Sequence, residues 1–183
     1  MIDDVAIVPL APAALPLLAN VADDVFDEPI NETRAAIWAG AAHHIGALAV
    51  HDGVVIGQIR GYLQCHPDGD PQAMVDNLGV APAFHRQGIA TQLWAGFTSE
   101  AKRAGATAIY VLTDPDNAIA TQFYASLKMR RSRAVLFEAA LTSAIKSARS
   151  RCASQCGTWR RKMPRPSPPE PFPVITSTMR KRA

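Results

Sequence analysis

The chain has 183 residues, of which 48% are apolar, and carries a net charge of +3. That suffices for one domain of ordinary size with a real core, whereas no stretch reaches the roughly 18 uncharged apolar residues of a membrane helix. The opening MIDDVAIVPL puts acids where an export signal needs positive charge, and Cys65, Cys152 and Cys156 form no disulfide framework, so a reducing cytoplasm is expected.

Val5–Leu10 is predicted as a strand. Ala13–Asp24 is predicted as a helix with Leu15, Leu18, Val21 and Ala22 on one side, broken by Asp27-Glu28-Pro29. Asn31 should cap a second helix, Glu32–Ala42, with Ile37 and Trp38 packed inward. Ile45–Val50 and Val54–Leu63 read as strands joined by His51-Asp52-Gly53, a good hairpin signal. After an irregular connection from His66 to Pro71, Met74–Val80 is a strand and Gly88–Ala104 the strongest helix, ended by Gly105. Ala108–Leu112 is a strand, Asn117–Leu127 a helix and Ala134–Leu141 a last strand. The order predicts an α/β fold, a mixed central sheet flanked by helices.

Periodic patterning stops at Leu141. Residues 1–141 hold 9 basic and 15 acidic side chains, a balance of −6; residues 142–183 hold 10 basic and one acidic, a balance of +9. Six prolines between Pro164 and Pro173, with that charge, predict a disordered tail after a domain spanning 1–141. An acidic folded part suits a cationic partner, although a solvated surface is the plainer reading. The tail lacks an aromatic stacking series, so neither specific nucleic-acid binding nor a membrane role is assigned to it.

The run Leu78-Gly79-Val80-Ala81-Pro82-Ala83-Phe84-His85-Arg86-Gln87-Gly88-Ile89-Ala90-Thr91 ends a strand, turns, and opens a long helix. A helix start offers unpaired N–H groups and the positive end of a dipole, Gly88 permits close approach to the backbone, and Arg86 adds a charge. Together they form a pyrophosphate cradle. With Asn117-Ala118-Ile119-Ala120-Thr121-Gln122-Phe123-Tyr124, this run resembles the two signatures of the GNAT superfamily of N-acetyltransferases. His85 stands where that family has Arg or Gln, and Lys128 where it has glycine after the second helix. Within the superfamily the chain looks most like small aminoglycoside 3-N-acetyltransferase-type members.

The resemblance implies acetyl-CoA as acetyl donor and no metal. It implies cofactor contacts from Leu78, Gly79, Val80, His85, Arg86, Gln87, Gly88, Ile89, Ala90, Thr91, Asn117, Ala120 and Tyr124. Tyr124 would protonate the departing thiolate, since a phenol titrating near 10 still holds its proton at neutral pH. A strand N–H at Leu78 or Val80 would polarise the thioester carbonyl. Asp76 is the candidate base only if a β-bulge re-aims it; otherwise it is structural and the base lies elsewhere or is a water chain. Asp27, Glu28, Asn77, Asp114 and Asp116 are candidate substrate contacts, although Asp-Pro-Asp-Asn is also ordinary turn chemistry. His43, His44 and His66 fit no metal-ligand spacing.

The implied acceptor is a small cationic amine, foremost an aminoglycoside, which would make the activity one of antibiotic resistance. A polyamine, a peptide, or a non-catalytic acyl-CoA-binding module are the rival readings. The family also pairs through sheet edges, so a homodimer is allowed.

Overall fold

The first apolar run forms β1 (Ala6–Pro9), paired antiparallel with β2 (His44–His51). β2 turns into β3 (Val54–Gln64) through Asp52 and Gly53, whose φ values of +51° and +75° are those of a tight hairpin turn. β3 pairs antiparallel with β4 (Gln72–Val80), and β4 pairs parallel with β5 (Ala108–Val111). The result is one mixed sheet of five strands in chain order. This computed structural model describes residues 4–135, and its contacts close one compact unit at Arg131. The strand expected over Ala134–Leu141 runs past the described residues, and the tail 142–183 lies outside them. Among the described residues no helix is long and apolar enough to cross a membrane.

Helices α1 (Glu32–Gly40), α2 (Ile89–Arg103) and α3 (Ala118–Ser126) complete the unit. Ile89, Leu93, Phe97 and Ala101 recur every four residues along α2 and are all buried, a stripe that faces Ile45, Ala47, Ile59, Ala73 and Val75 of the sheet. Burial of each large member contributes about 2 kcal/mol. The other face is covered by a 3₁₀ helix, Pro12–Ala19, and the loop after it, through Ala14, Val25, Leu48, Val55 and Ala81. Helices thus flank both faces of the sheet, as expected.

Two local expectations are corrected. The helix expected over Ala13–Asp24 is 3₁₀ and ends at Ala19. Pro16 inside it lacks an N–H to donate, and beyond Asn20 the backbone bonds to β3 instead, Ala22 N–H to Val55 O and Val55 N–H to Asn20 O, both at 2.9 Å. On α1, Asn31 caps as expected, its Oδ1 accepting Arg34 N–H at 2.9 Å. Ile37, however, is 70% exposed. Successive helical residues project about 100° apart, and Trp38 takes the inward direction, stacked on His44 with ring centroids 4.8 Å apart.

Candidate active site

The site forms where β4 changes course. Arg60 pairs with Asn77 and Gly61 with Val75, so Asp76 is an extra residue left out of the backbone register with β3. Such a bulge bends its strand. Parallel pairing with β5 ends at Val75–Val111, one residue earlier. Residues 76–80 therefore have β3 on one side and an opened gap on the other. Ala81 N–H donates to Ile56 O on the β3 side at 2.9 Å. Peptide groups alternate along a strand, so the N–H groups of Leu78 and Val80 face the gap. The Val80 carbonyl, facing the same way, accepts His85 Nε2–H at 2.7 Å.

The turn that follows is lined with backbone donors. A 3₁₀ turn, Pro82–Phe84, is closed by Gln87, whose Nε2 donates to Ala83 O at 3.2 Å. Arg86 and Gly88 both have positive φ, +62° and +85°. The amides of residues 86–90 donate to no acceptor among the described residues, and the first amides past them, Thr91 and Gln92, close onto Gly88 O at 3.1 Å. Nothing lies within 4 Å of where a Cβ on Gly88 would stand. Consecutive free amides at a helix start, with open space above, fit an anion such as a pyrophosphate. Ile89 anchors this end of α2, its side chain 2% exposed in the core.

On α3, Asn117 Oδ1 accepts Ala120 N–H at 3.0 Å. Tyr124 stands two turns along, its ring edge-on to Trp94 of α2 at 5.8 Å and to Phe123 at 5.2 Å. Its hydroxyl has no hydrogen-bond partner among the described residues. Burial raises its pKa above the ordinary phenol value, so the group holds its proton at neutral pH.

Across β4, the loop after the 3₁₀ helix docks on the sheet. A Cβ on Gly79 would stand 2.4 Å from Val25 O, so only glycine lets that loop sit there. Asn77 Nδ2 donates to Asp27 Oδ2 at 3.1 Å, and Asn77 Oδ1 accepts from Gln58 Nε2 at 2.5 Å. Asp76 is paired with Arg60, Nε to Oδ2 at 3.1 Å, and the Arg60 guanidinium lies 5.9 Å from the centre of the Phe26 ring. An open cavity of about 290 Å³ beside this cluster is lined by Val21, Phe26, Asp27, Glu28 and Ile30 among others. A second cavity, about 300 Å³, lies by Pro12, Gly40, His44 and Arg103 and holds none of the candidate cofactor or substrate contacts.

The docked loop thus brings Asp27 to Asn77, with Asp76 next to Asn77 in the bulge and Glu28 lining the cavity beside Asp27. Asp114 and Asp116 are used locally: Asp114 Oδ1 accepts Asp116 N–H at 2.9 Å, and Asp114 O accepts Asn117 N–H at 3.0 Å. No hydrogen bond among the described residues joins either to Asp27 or Asn77. Sequence reasoning passed over Gln58 and Arg60. The available signal is period two: Gln58, Arg60, Tyr62 and Gln64 alternate with Ile59, Gly61 and Leu63. Among the described residues no three of His, Cys, Asp and Glu gather as a metal site would need.

The model of the acetyltransferase (GNAT) family matches residues 15–129. No curated protein matches the chain. Among solved structures, the aminoglycoside acetyltransferase AAC(6')-Iy, in complex with the bisubstrate analog CoA-S-monomethyl-acetylneamine, superposes with a TM-score of 0.65 at 19% identity, covering 75% of this chain and 99% of that one. The aminoglycoside acetyltransferase meta-AAC0020 from an uncultured soil metagenomic sample, in complex with sisomicin, gives 0.65 at 20% identity over 75% and 97%. A transcriptional regulator from Bacillus halodurans C-125 gives 0.62 at 21% over 74% and 99%. At such identities the likeness is one of fold, and the first of these enzymes is of the 6′ type where the sequence resembles the 3-N type. The family match is of another kind, because it runs through the splayed strand, the glycine turn and the tyrosine helix alike, and on it this chain belongs to the acetyltransferase (GNAT) family.

Proposed function

We propose that the chain transfers the acetyl group of acetyl-CoA to a primary amine of a small cationic molecule, an aminoglycoside being the leading acceptor. The observation that carries this reading is the gap opened at Asp76. Along the chain it leads into a row of free amides at residues 86–90, and the acidic loop of Asp27 and Glu28 docks on the same strand at Asn77 and Gly79. A thioester donor needs the first and an ammonium acceptor the second.

The amides of residues 86–90, with Arg86 beside them, would hold the pyrophosphate, and Asn117 and Ala120 the arm that leads to the sulfur. Bound there, acetyl-CoA supplies an acyl group activated as a thioester. The N–H groups of Leu78 and Val80 face the gap and stabilise the negative charge that grows on the carbonyl oxygen. Asp76 keeps Oδ2 on Arg60 and offers Oδ1 to take the proton from the incoming ammonium. The amine nitrogen bonds to the acyl carbon, the carbon–sulfur bond breaks, and the sulfur takes the Tyr124 proton. Holding both partners in one gap makes the encounter an oriented one.

The test is thiol release from acetyl-CoA by the purified protein with aminoglycosides, polyamines and short peptides. Turnover with aminoglycosides, depressed in Tyr124→Phe, supports the reading. Turnover confined to polyamines or peptides keeps the chemistry and replaces the acceptor. Tight acetyl-CoA binding with no turnover points to a binding module.

A further inference from the structure

Gln58 is an anomaly in the sheet. It is 0% exposed on a strand whose flanking Ile56 and Ile59 are core, and its Oε1 is buried with no hydrogen-bond partner. An unpartnered buried oxygen destabilises a fold, and an aliphatic side chain there would leave none. The amide nitrogen explains why glutamine stands here. Nε2 donates both to Val25 O at 3.4 Å and to Asn77 Oδ1 at 2.5 Å. A backbone carbonyl can only accept, so Val25 fixes which end of the Gln58 amide faces it. That in turn makes Oδ1 the end of Asn77 that faces Gln58. The Asn77 Nδ2 is thereby turned outward, onto Asp27 Oδ2 at 3.1 Å.

From this chain of donors we infer that Gln58 is a positioning residue for the amine acceptor: through Asn77 it holds Asp27 at the gap with one carboxylate oxygen bonded and the other presented to an ammonium group. Gln58 touches no substrate. The same nitrogen braces Val25 O, so one buried amide fixes both the docked loop and the carboxylate two residues further along it. The pair Arg60–Asp76 lies next along the strands and is not part of this relay. The inference rests on the proposed acceptor class, since only a cation gains from an oriented carboxylate.

The experiment is steady-state kinetics on the full chain with the amine that the wild type acetylates fastest, for Gln58→Met and Asn77→Ala, each also made in an Asp27→Asn background. Hydrogen exchange of residues 24–28 is followed without amine. Loss of the Asn77 bond to the Asp27 carboxylate, direct in Asn77→Ala and through a misplaced Asn77 in Gln58→Met, predicts an amine KM raised about tenfold. The acetyl-CoA KM stays within about twofold, and the loop exchanges faster. In the Asp27→Asn background the same changes raise the amine KM no further, the non-additivity expected of one linked network. An unchanged amine KM overturns the relay, as does an equal rise for both substrates or full additivity with Asp27→Asn. If Gln58→Met does not fold, the Asn77→Ala cycle decides alone. Absence of wild-type turnover with every amine overturns the functional reading itself and with it any acceptor role for Asp27, a result distinct from turnover that ignores Gln58.

Discussion

Burial holds the Tyr124 phenol above its ordinary value, so the phenol keeps its proton across the neutral range, as the proposed donation to sulfur requires. Tyr124→Phe should lower kcat by about a hundredfold, the usual worth of a positioned proton donor, with little change in acetyl-CoA affinity. The alkaline fall in kcat caused by Tyr124 should lie above pH ~10 and vanish in the phenylalanine variant. The native state also keeps this proton longer than the unfolded chain does. Stability is therefore full below about pH 10 and falls as pH rises from there through the native value, a slope that urea midpoints at several pH values will show. At this scale the placement of Asn117 and Tyr124 on one helix was legible, because seven residues on a helix return to the same face. Gln58 was not, because its partner Asn77 is 19 residues away and only strand register brings them together.

Between residues and the fold, the turns decide. Helix α3 ends with Lys128 at φ +59°, Lys128 N–H bonded to Ala125 O at 2.9 Å and Met129 N–H to Tyr124 O at 3.2 Å. This is the Schellman pattern, in which the left-handed position favours glycine. Lys128→Gly should stabilise the protein by about 1 kcal/mol, read as a melting temperature higher by roughly 3 °C. The same backbone logic acts in reverse at Gly88, whose φ is +85° with open space around it. Gly88→Ala meets no clash but strains the turn by about 1 kcal/mol. The melting temperature should drop slightly, and acetyl-CoA binding by calorimetry should weaken as the amides shift. Most elements were readable from caps and apolar spacing, α2 above all. The 3₁₀ helix was not, because the bonds that end it go to Val55, which no local pattern announces.

For the molecule as a whole, residues 1–141 hold 15 acids against 9 bases, a surplus that on the proposed function would draw a cationic amine toward the site. Raising the ionic strength should lower kcat/KM several-fold for a polycationic amine and leave a singly charged one nearly unchanged, since screening acts on each charge. Stopped or initial-rate assays across a salt series check this directly.

The mixed α/β sheet, the glycine turn before α2 and the tyrosine helix were set by the sequence alone, since each rests on short-range periodicity, capping and glycine placement. Tertiary structure alone decided that the extra residue on β4 is Asp76, that β5 parts from it at Val75, and that Asp76 meets Arg60 while Asn77 meets Asp27. The physical reason is the same in each case. Strand register and loop docking are settled by packing between segments distant in the chain, and the sequence of either segment does not contain the other.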